Sequence, residues 1–358
     1  MIRKQKQLLT LMALRKLFIN LFPLFLFANT YKVYTDVTLF SNYLDFDIFS
    51  KKWDEVPTKK EWNKAFSFSK IGVEVGDDIF YGIKYEADGV VKINRGFFET
   101  WYYAQEDFNV LLKKNDINYF INSTDIKGYM NYAQYYAFYI KKRFKDLFIS
   151  LNFLKGDKLY FINLDGKNTQ ERFIADLDYI YTHKNFITHQ YNNPSFNSYG
   201  MSVDIESSFK VKDMFFKIGG YNIFGFLKWK NVNYMHYHFD SNTKYIGEDG
   251  FIHYKPFGEG YYKTGYDYFQ KLPLFFKYLF EYKKRYYSVG SEGIYSKNIY
   301  CNVPYMRIKI KKFCVKLGYV IENSNLLFGF NFKNFSFEIS KKFNFHTNFA
   351  RLLINFEF

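Results

Sequence analysis

Few side chains in this sequence are grouped as chemistry requires. Of six histidines, one pair has ligand spacing: "YMHYHF" sets His236 and His238 two residues apart. On an extended strand both imidazoles share a face and could share a metal, with Glu248, Asp249 and His253 following. Two rim histidines without a metal fit the same spacing, and none is expected. Nucleophilic catalysis needs a base held within reach of a hydroxyl or thiol. In "THQYNNPSFNSYG" the residue two after His189 is Tyr191, while Ser195 and Ser198 fall in a loop that fixes neither against the base. No P-loop, dinucleotide fingerprint or paired-carboxylate motif stands out, so neither an enzyme nor a cofactor is expected. What remains is charge. Arg307, Lys309, Lys316, Lys333 and Arg351 stand against Glu338 and Glu357 near the C-terminus, and cations sharing the inner face of a pore favour anions.

Whether they share a face depends on the elements that carry them. "YMRIKI" sets Met306, Ile308 and Ile310 opposite Arg307 and Lys309, and "FCVKLGYVI" sets Val315 and Leu317 opposite Lys316. "LLFGFNFK", "FSFEIS" and "ARLLINFEF" repeat the two-residue period, and "PLFFKYLFEY" is a greasier version. Apolar and polar residues alternate in all of them and helical spacing fits none, so they read as strands of an antiparallel meander joined by short turns. Further strands are read in "AQYYAFYIKKRF", "LFISLNFL", "KLYFINL", "ERFIADLDYIY", "MSVDIESSFKV" and "FFKIGGYNIFGFLKW". AT-rich codons account for the abundance of Phe, Tyr and Lys but not for their order. A secreted sandwich also alternates, but its inward faces favour branched aliphatics. Here the apolar face is Phe- and Tyr-rich with many rings near strand ends, and the other face suits a wet lumen.

The N-terminus adds to this. "MIRKQKQLLTLMALRKLFINLFPLFLFANT" opens with five basic residues and no acidic one, then an apolar run from Leu17 to Ala28. That is the layout of a signal peptide over residues 1–28, and Met12 opens an equally complete one. Asn20 and Pro23 interrupt the run, which is too short for a membrane-spanning helix. The formal charge of +15 becomes +10 without those five cations.

The closing "LLINFEF", with Leu352, Ile354, Phe356 and Phe358 at every second position, resembles the C-terminal β-signal of Gram-negative outer-membrane β-barrels of the porin-like superfamily. The resemblance implies an outer-membrane location, recognition of the last strand by the barrel-assembly machinery, and closure of that strand on the first. The fold expected is all-β: a transmembrane antiparallel up-and-down barrel of about sixteen strands, fourteen being the next count, over residues 66–358. Residues 29–65 read as a periplasmic lead-in or a lumen segment. With the last strand ending at the periplasm, the turns near 212–213, 283–285, 311–312 and 333–334 face that side, and the longer connections near 105–133, 184–199 and 240–271 face outward. Expected partners are outer-membrane lipid and lipopolysaccharide. No nucleic acid is expected for an exported barrel, and an oligomer is compatible with the class. The function expected is passive diffusion of small solutes with some preference for anions. The alternatives are an adhesin, receptor or structural barrel binding through its outer loops, and an envelope-lipid hydrolase. Cys301 and Cys314 lie too far apart in the predicted hairpin to bond, so two free thiols are expected.

Overall fold

The computed structural model describes residues 30–42, 61–99, 124–169, 172–183, 196–242, 244–246, 252–254, 258–310, 313–341 and 349–357. Nearly all of this is strand. The first half of the wall is β1 (Tyr31–Ser41), β2 (Trp62–Gly76), β3 (Ile79–Asn94), β4 (Thr124–Phe144), β5 (Leu147–Asn168), β6 (Phe173–Tyr181), β7 (Asn197–Val211) and β8 (Met214–Asp240). A small hairpin, β9 (Lys244–Ile246) and β10 (Ile252–Tyr254), precedes β11 (Gly258–Lys271) and β12 (Phe275–Lys283). The wall ends with β13 (Tyr287–Ser296), β14 (Ile299–Ile310), β15 (Phe313–Val320), β16 (Asn325–Phe332), β17 (Phe335–Lys341) and β18 (Phe349–Glu357).

All wall pairings are antiparallel, and β18 pairs with β1 from Lys32–Glu357 to Phe40–Phe349, which closes the ring. Sixteen strands make the sheet but occupy fourteen positions around it. The long β8 is the reason. Its first half pairs with β7 and β12, and its second half with β6 and β11. Thus β6 and β7 lie end to end on one side of β8, and β11 and β12 on the other. The β12–β11 break occurs by Asn222 and Phe224 and the β7–β6 break by Asn231, non-glycine residues of β8 with left-handed φ of 58°, 54° and 62°. Such a conformation interrupts regular pairing and bends a strand.

The faces are inverted relative to a soluble protein. Phe276, Tyr278, Met306, Ile308, Phe328 and Phe330 are exposed, whereas Lys316, Glu292, Glu338 and Asp204 are buried. Buried charge and exposed apolar surface in alternation mean that the outward face meets a non-aqueous solvent. Only a closed ring satisfies every wall amide there. The shorter strands suit a bilayer, but β4, β5 and β8, with 21, 22 and 27 residues, run well past it. With β6 and β11 they form a tall screen on the outer side.

Three details depart from the sequence reading. The wall begins at β1, inside the segment 29–65 expected to be a lead-in or lumen piece. Its outward residues Val33, Thr35, Val37 and Leu39 pair with the outward residues of β18. "LFISLNFL" and "KLYFINL" are one strand, β5. Asp157 is its extra residue, since Gln134 faces Lys158 while Tyr135 faces Gly156. A bulge absorbs the Gly-Asp pair that resembles a turn. Finally, the 184–199 connection joins two strands running the same way along one wall position, although β5 and β6 do meet through a short outer connection. The signal-peptide residues, Lys311, Lys312 and Phe358 lie outside the described residues.

Candidate functional site

Register places one residue from each of five neighbouring strands in a row on the inner face, four of them charged. Arg307 of β14 faces Lys316 of β15, which faces Gly329 of β16, then Glu338 of β17, then Arg351 of β18. A Cβ at Gly329 would lie 3.0 Å from Lys316 Cβ and 3.1 Å from Glu338 Cγ. Glycine there lets the two side chains meet across β16. Lys316 Nζ, fully buried, donates to Glu338 Oε1 at 2.9 Å and to Glu292 Oε1 of β13 at 2.5 Å. Arg351 Nη1 stands 3.1 Å from the same Glu292 oxygen, and Arg307 Nη1 donates to Glu281 Oε1 at 2.9 Å. So three of the five basic residues singled out in the sequence sit in one ionic half-ring. Lys309 is a rung nearer the periplasmic end, facing Cys314, and is exposed. Lys333 is exposed in the β16–β17 turn at φ 49°.

A second set of contacts crosses the lumen, from β1–β3 to β7, β8 and β12, about half the ring away. Lys277 Nζ of β12 donates to Asp36 Oδ2 of β1 at 2.6 Å and lies 3.6 Å from the centre of the Phe68 ring. Phe68 packs on Tyr221 and Phe275 with ring centres 5.2 and 5.1 Å apart. Below them Lys70 and Lys84 each reach both Glu86 and Asp204, at 2.8–3.3 Å. This seam divides the interior into two lobes. One, of about 260 Å³, is lined by Lys277, Glu292, Arg307, Glu338 and Arg351 among others. The other, of about 280 Å³, is lined by Lys32, Glu74, Lys84, Lys141, Asp204 and Glu206 among others. A third cavity, of about 510 Å³, lies where Leu272–Pro273–Leu274 joins β11 to β12. Above the seam Phe40, Phe66, Ile294, Val303 and Leu327 form one apolar cluster, beside buried polar groups such as Asn131 and Gln270.

The acidic partners escaped the sequence reading. Glu281, Glu292, Asp36 and Asp204 each occupy an inward position of a strand, which is a usable signal. Their partners have no trace in local sequence, and those of Asp36 and Asp204 lie across the lumen.

On the outer screen His236 and His238 of β8 face Asp178 and Asp176 of β6. The contacts are His236 Nδ1–Asp178 Oδ1 at 3.0 Å and His238 Nδ1–Asp176 Oδ1 at 2.8 Å. Tyr234 donates to Asp178 at 2.7 Å. Each imidazole is therefore engaged by a carboxylate. Among the described residues no group of three or more His, Cys, Asp or Glu is placed to hold a metal. His189, Tyr191 and Ser195 lie outside the described residues, and the Ser198 hydroxyl is buried, donating to the Gly156 carbonyl at 2.8 Å. Both cysteines are free, Cys301 buried in the lumen cluster and Cys314 facing Lys309. Of the β-signal residues, Leu352, Ile354 and Phe356 lie on the outward side of β18, opposite the side of Arg351.

No family model matches this sequence, and no curated protein matches it. Solved structures similar to it include the P. putida toluene transporter TodX, with 8% identity over 92% of this chain and 89% of that one, TM-score 0.36. The deltaS2S3 mutant of TodX, a monoaromatic hydrocarbon channel, has the same identity and coverage with TM-score 0.40. The outer membrane protease OmpT from Escherichia coli has 12% identity over 93% of this chain and 98% of that one, TM-score 0.21. Likenesses this distant say nothing about substrate. The architecture rests on the chain's own pairing: a closed antiparallel ring, apolar outside and charged within, is a transmembrane β-barrel.

Proposed function

We propose that the barrel is a channel for passive diffusion of small solutes, with a modest preference for anions. The observation that carries this reading is the inner face. It bears two polar lobes divided by a seam of side-chain contacts, which rotamer changes can part without breaking the wall. Basic residues outnumber acidic ones along the two lobes, which favours anions. In this reading the protein is not an enzyme. Lipid and lipopolysaccharide surround its outward face, and the assembly machinery reads the last strand.

The test is conductance in a planar bilayer under a salt gradient. Discrete openings with a reversal potential on the anion side are expected. Asp204→Asn, which leaves Lys70 and Lys84 in excess, should raise anion selectivity. A heat-modifiable, correctly folded barrel that stays electrically silent would overturn the channel reading. The tall outer screen favours a second reading, a barrel that binds a surface partner. That reading gains if the protein is silent and cell-surface binding is lost when residues 241–257 are replaced by a short turn.

A further inference from the structure

We infer that the lobe beside the half-ring is a binding subsite for a small zwitterion, a molecule carrying one carboxylate and one ammonium group. This rests on the channel reading and names its solute class. Arg307 and Arg351 line the lobe, and each commits Nη1 to a protein carboxylate, Glu281 and Glu292 respectively. The Nε of both is buried without a hydrogen-bond partner. Glu338 also lines the lobe with its side chain 2% exposed; its Oε1 accepts from Lys316, and its Oε2 is buried without a partner.

Unpartnered polar atoms on buried charged groups are costly, and here both kinds belong to side chains that line one cavity. Two guanidinium N–H donors suit a carboxylate, and one carboxylate oxygen suits an ammonium. Net charge points the same way. Lys217, Lys277, Arg307 and Arg351 of the lining, with Lys316 behind them, are matched by Asp36, Glu206, Glu281, Glu292 and Glu338. A balanced cluster gains little from a bare anion or cation but can engage both ends of a neutral zwitterion. The volume of about 260 Å³ is below that of pockets for drug-sized ligands, which sets the size class.

Saturation-transfer NMR on the full barrel, refolded in detergent micelles, tests this. The probes are L-alanine, propionate, ethylamine and tert-butanol at equal concentration. Alanine should give a signal several-fold above the other three. Arg351→Gln should reduce it at least fivefold, and Glu338→Gln should remove the advantage of alanine over propionate. Propionate matching alanine in the unmodified protein, or alanine no stronger than tert-butanol, would overturn the subsite whatever the variants do. So would wild-type discrimination in both variants migrating as heat-modifiable barrels. Bilayer recordings separate the two readings. Binding without conductance sinks the channel and leaves the subsite, and conductance without alanine binding does the reverse.

Discussion

Arg307, Ile308 and Lys309 are consecutive on β14, yet they meet three environments: an ion pair with Glu281, the lipid face, and the wet periplasmic end of the lumen. Lumen positions are expected to tolerate charge, but the contacts divide them. Lys309 is exposed, so Lys309→Glu should shift selectivity towards cations at a cost below about 0.5 kcal/mol. Lys316 is fully buried between Glu292 and Glu338. Lys316→Met strands Glu338 and leaves Glu292 with Arg351 alone, and should cost about 3–5 kcal/mol in urea unfolding from micelles. Equal tolerance at the two sites would mean that the half-ring is not formed. In the periplasmic turns Lys284 donates to Asp213 at 2.6 Å, and this bond holds the Asp213 carboxyl below its usual range. A carboxyl with a lowered folded-state pKa adds stability above its unfolded value of about 3.9 and loses it as pH falls through the folded value. Urea midpoints of Asp213→Asn should therefore lie slightly below wild type above about pH 5 and converge with it below about pH 3. The effect is small because both groups are exposed. A difference that persists at the acid end would point to a cause other than this pair.

Alternation alone made strands β14 to β18 legible, because their outward faces are mostly apolar, with Met306, Tyr319 and Ala350 among Phe, Leu, Ile and Val. It failed for β1, whose outward face includes Thr35 and whose inward Lys32, Tyr34 and Asp36 resemble a surface segment. Local signals also misread β5. Gly156 is a glycine for a reason outside its own strand: a Cβ there would lie 2.3 Å from the Trp229 ring of β8. Trp229 cannot retreat freely, since its indole N–H donates to Gln270 Oε1 at 2.8 Å. Gly156→Ala should thus overpack the upper lumen and cost about 1–3 kcal/mol. Gly128→Ala, whose nearest contact would be Leu164 at 3.5 Å, should be neutral or slightly stabilising. Unfolding midpoints of the two variants check this. The reverse order would mean that the β4–β5 bulge and the Trp229 packing are misplaced. The half-ring was partly legible for a related reason: Arg307, Lys316 and Arg351 lie within five consecutive strands in a simple register, so counting from each turn brings them into one row. The seam was not, because Asp36 and Lys277 are 241 residues apart and lie half a ring from each other.

Closure decides whether the molecule is a barrel or an open sheet, and it depends on one pairing, β1 with β18. An open sheet of this width would expose two rows of unpaired amides to lipid, each costing several kcal/mol. The ring then sets everything inside it. Only when β1 completes the wall does Asp36 face Lys277, and only then do β1–β3 and β7, β8 and β12 press together to divide the lumen. Closure, seam and lobes should therefore form in one step. Val37 faces Leu352 on the outward side of this pairing, and directly opposed residues of antiparallel strands have Cα atoms about 4.5–5.5 Å apart. That is within the range a disulfide spans. With Cys301 and Cys314 changed to Ser, Val37→Cys with Leu352→Cys should cross-link under mild oxidation in the folded barrel and not in urea. Shifting one partner by two residues, Val37→Cys with Ile354→Cys, should cross-link far less. If the locked protein keeps the single-channel openings of the reduced form, the conducting state has an intact ring and gating belongs to the seam. Loss of those openings on oxidation, restored by reductant, would instead place the gate in the wall at the β1–β18 junction.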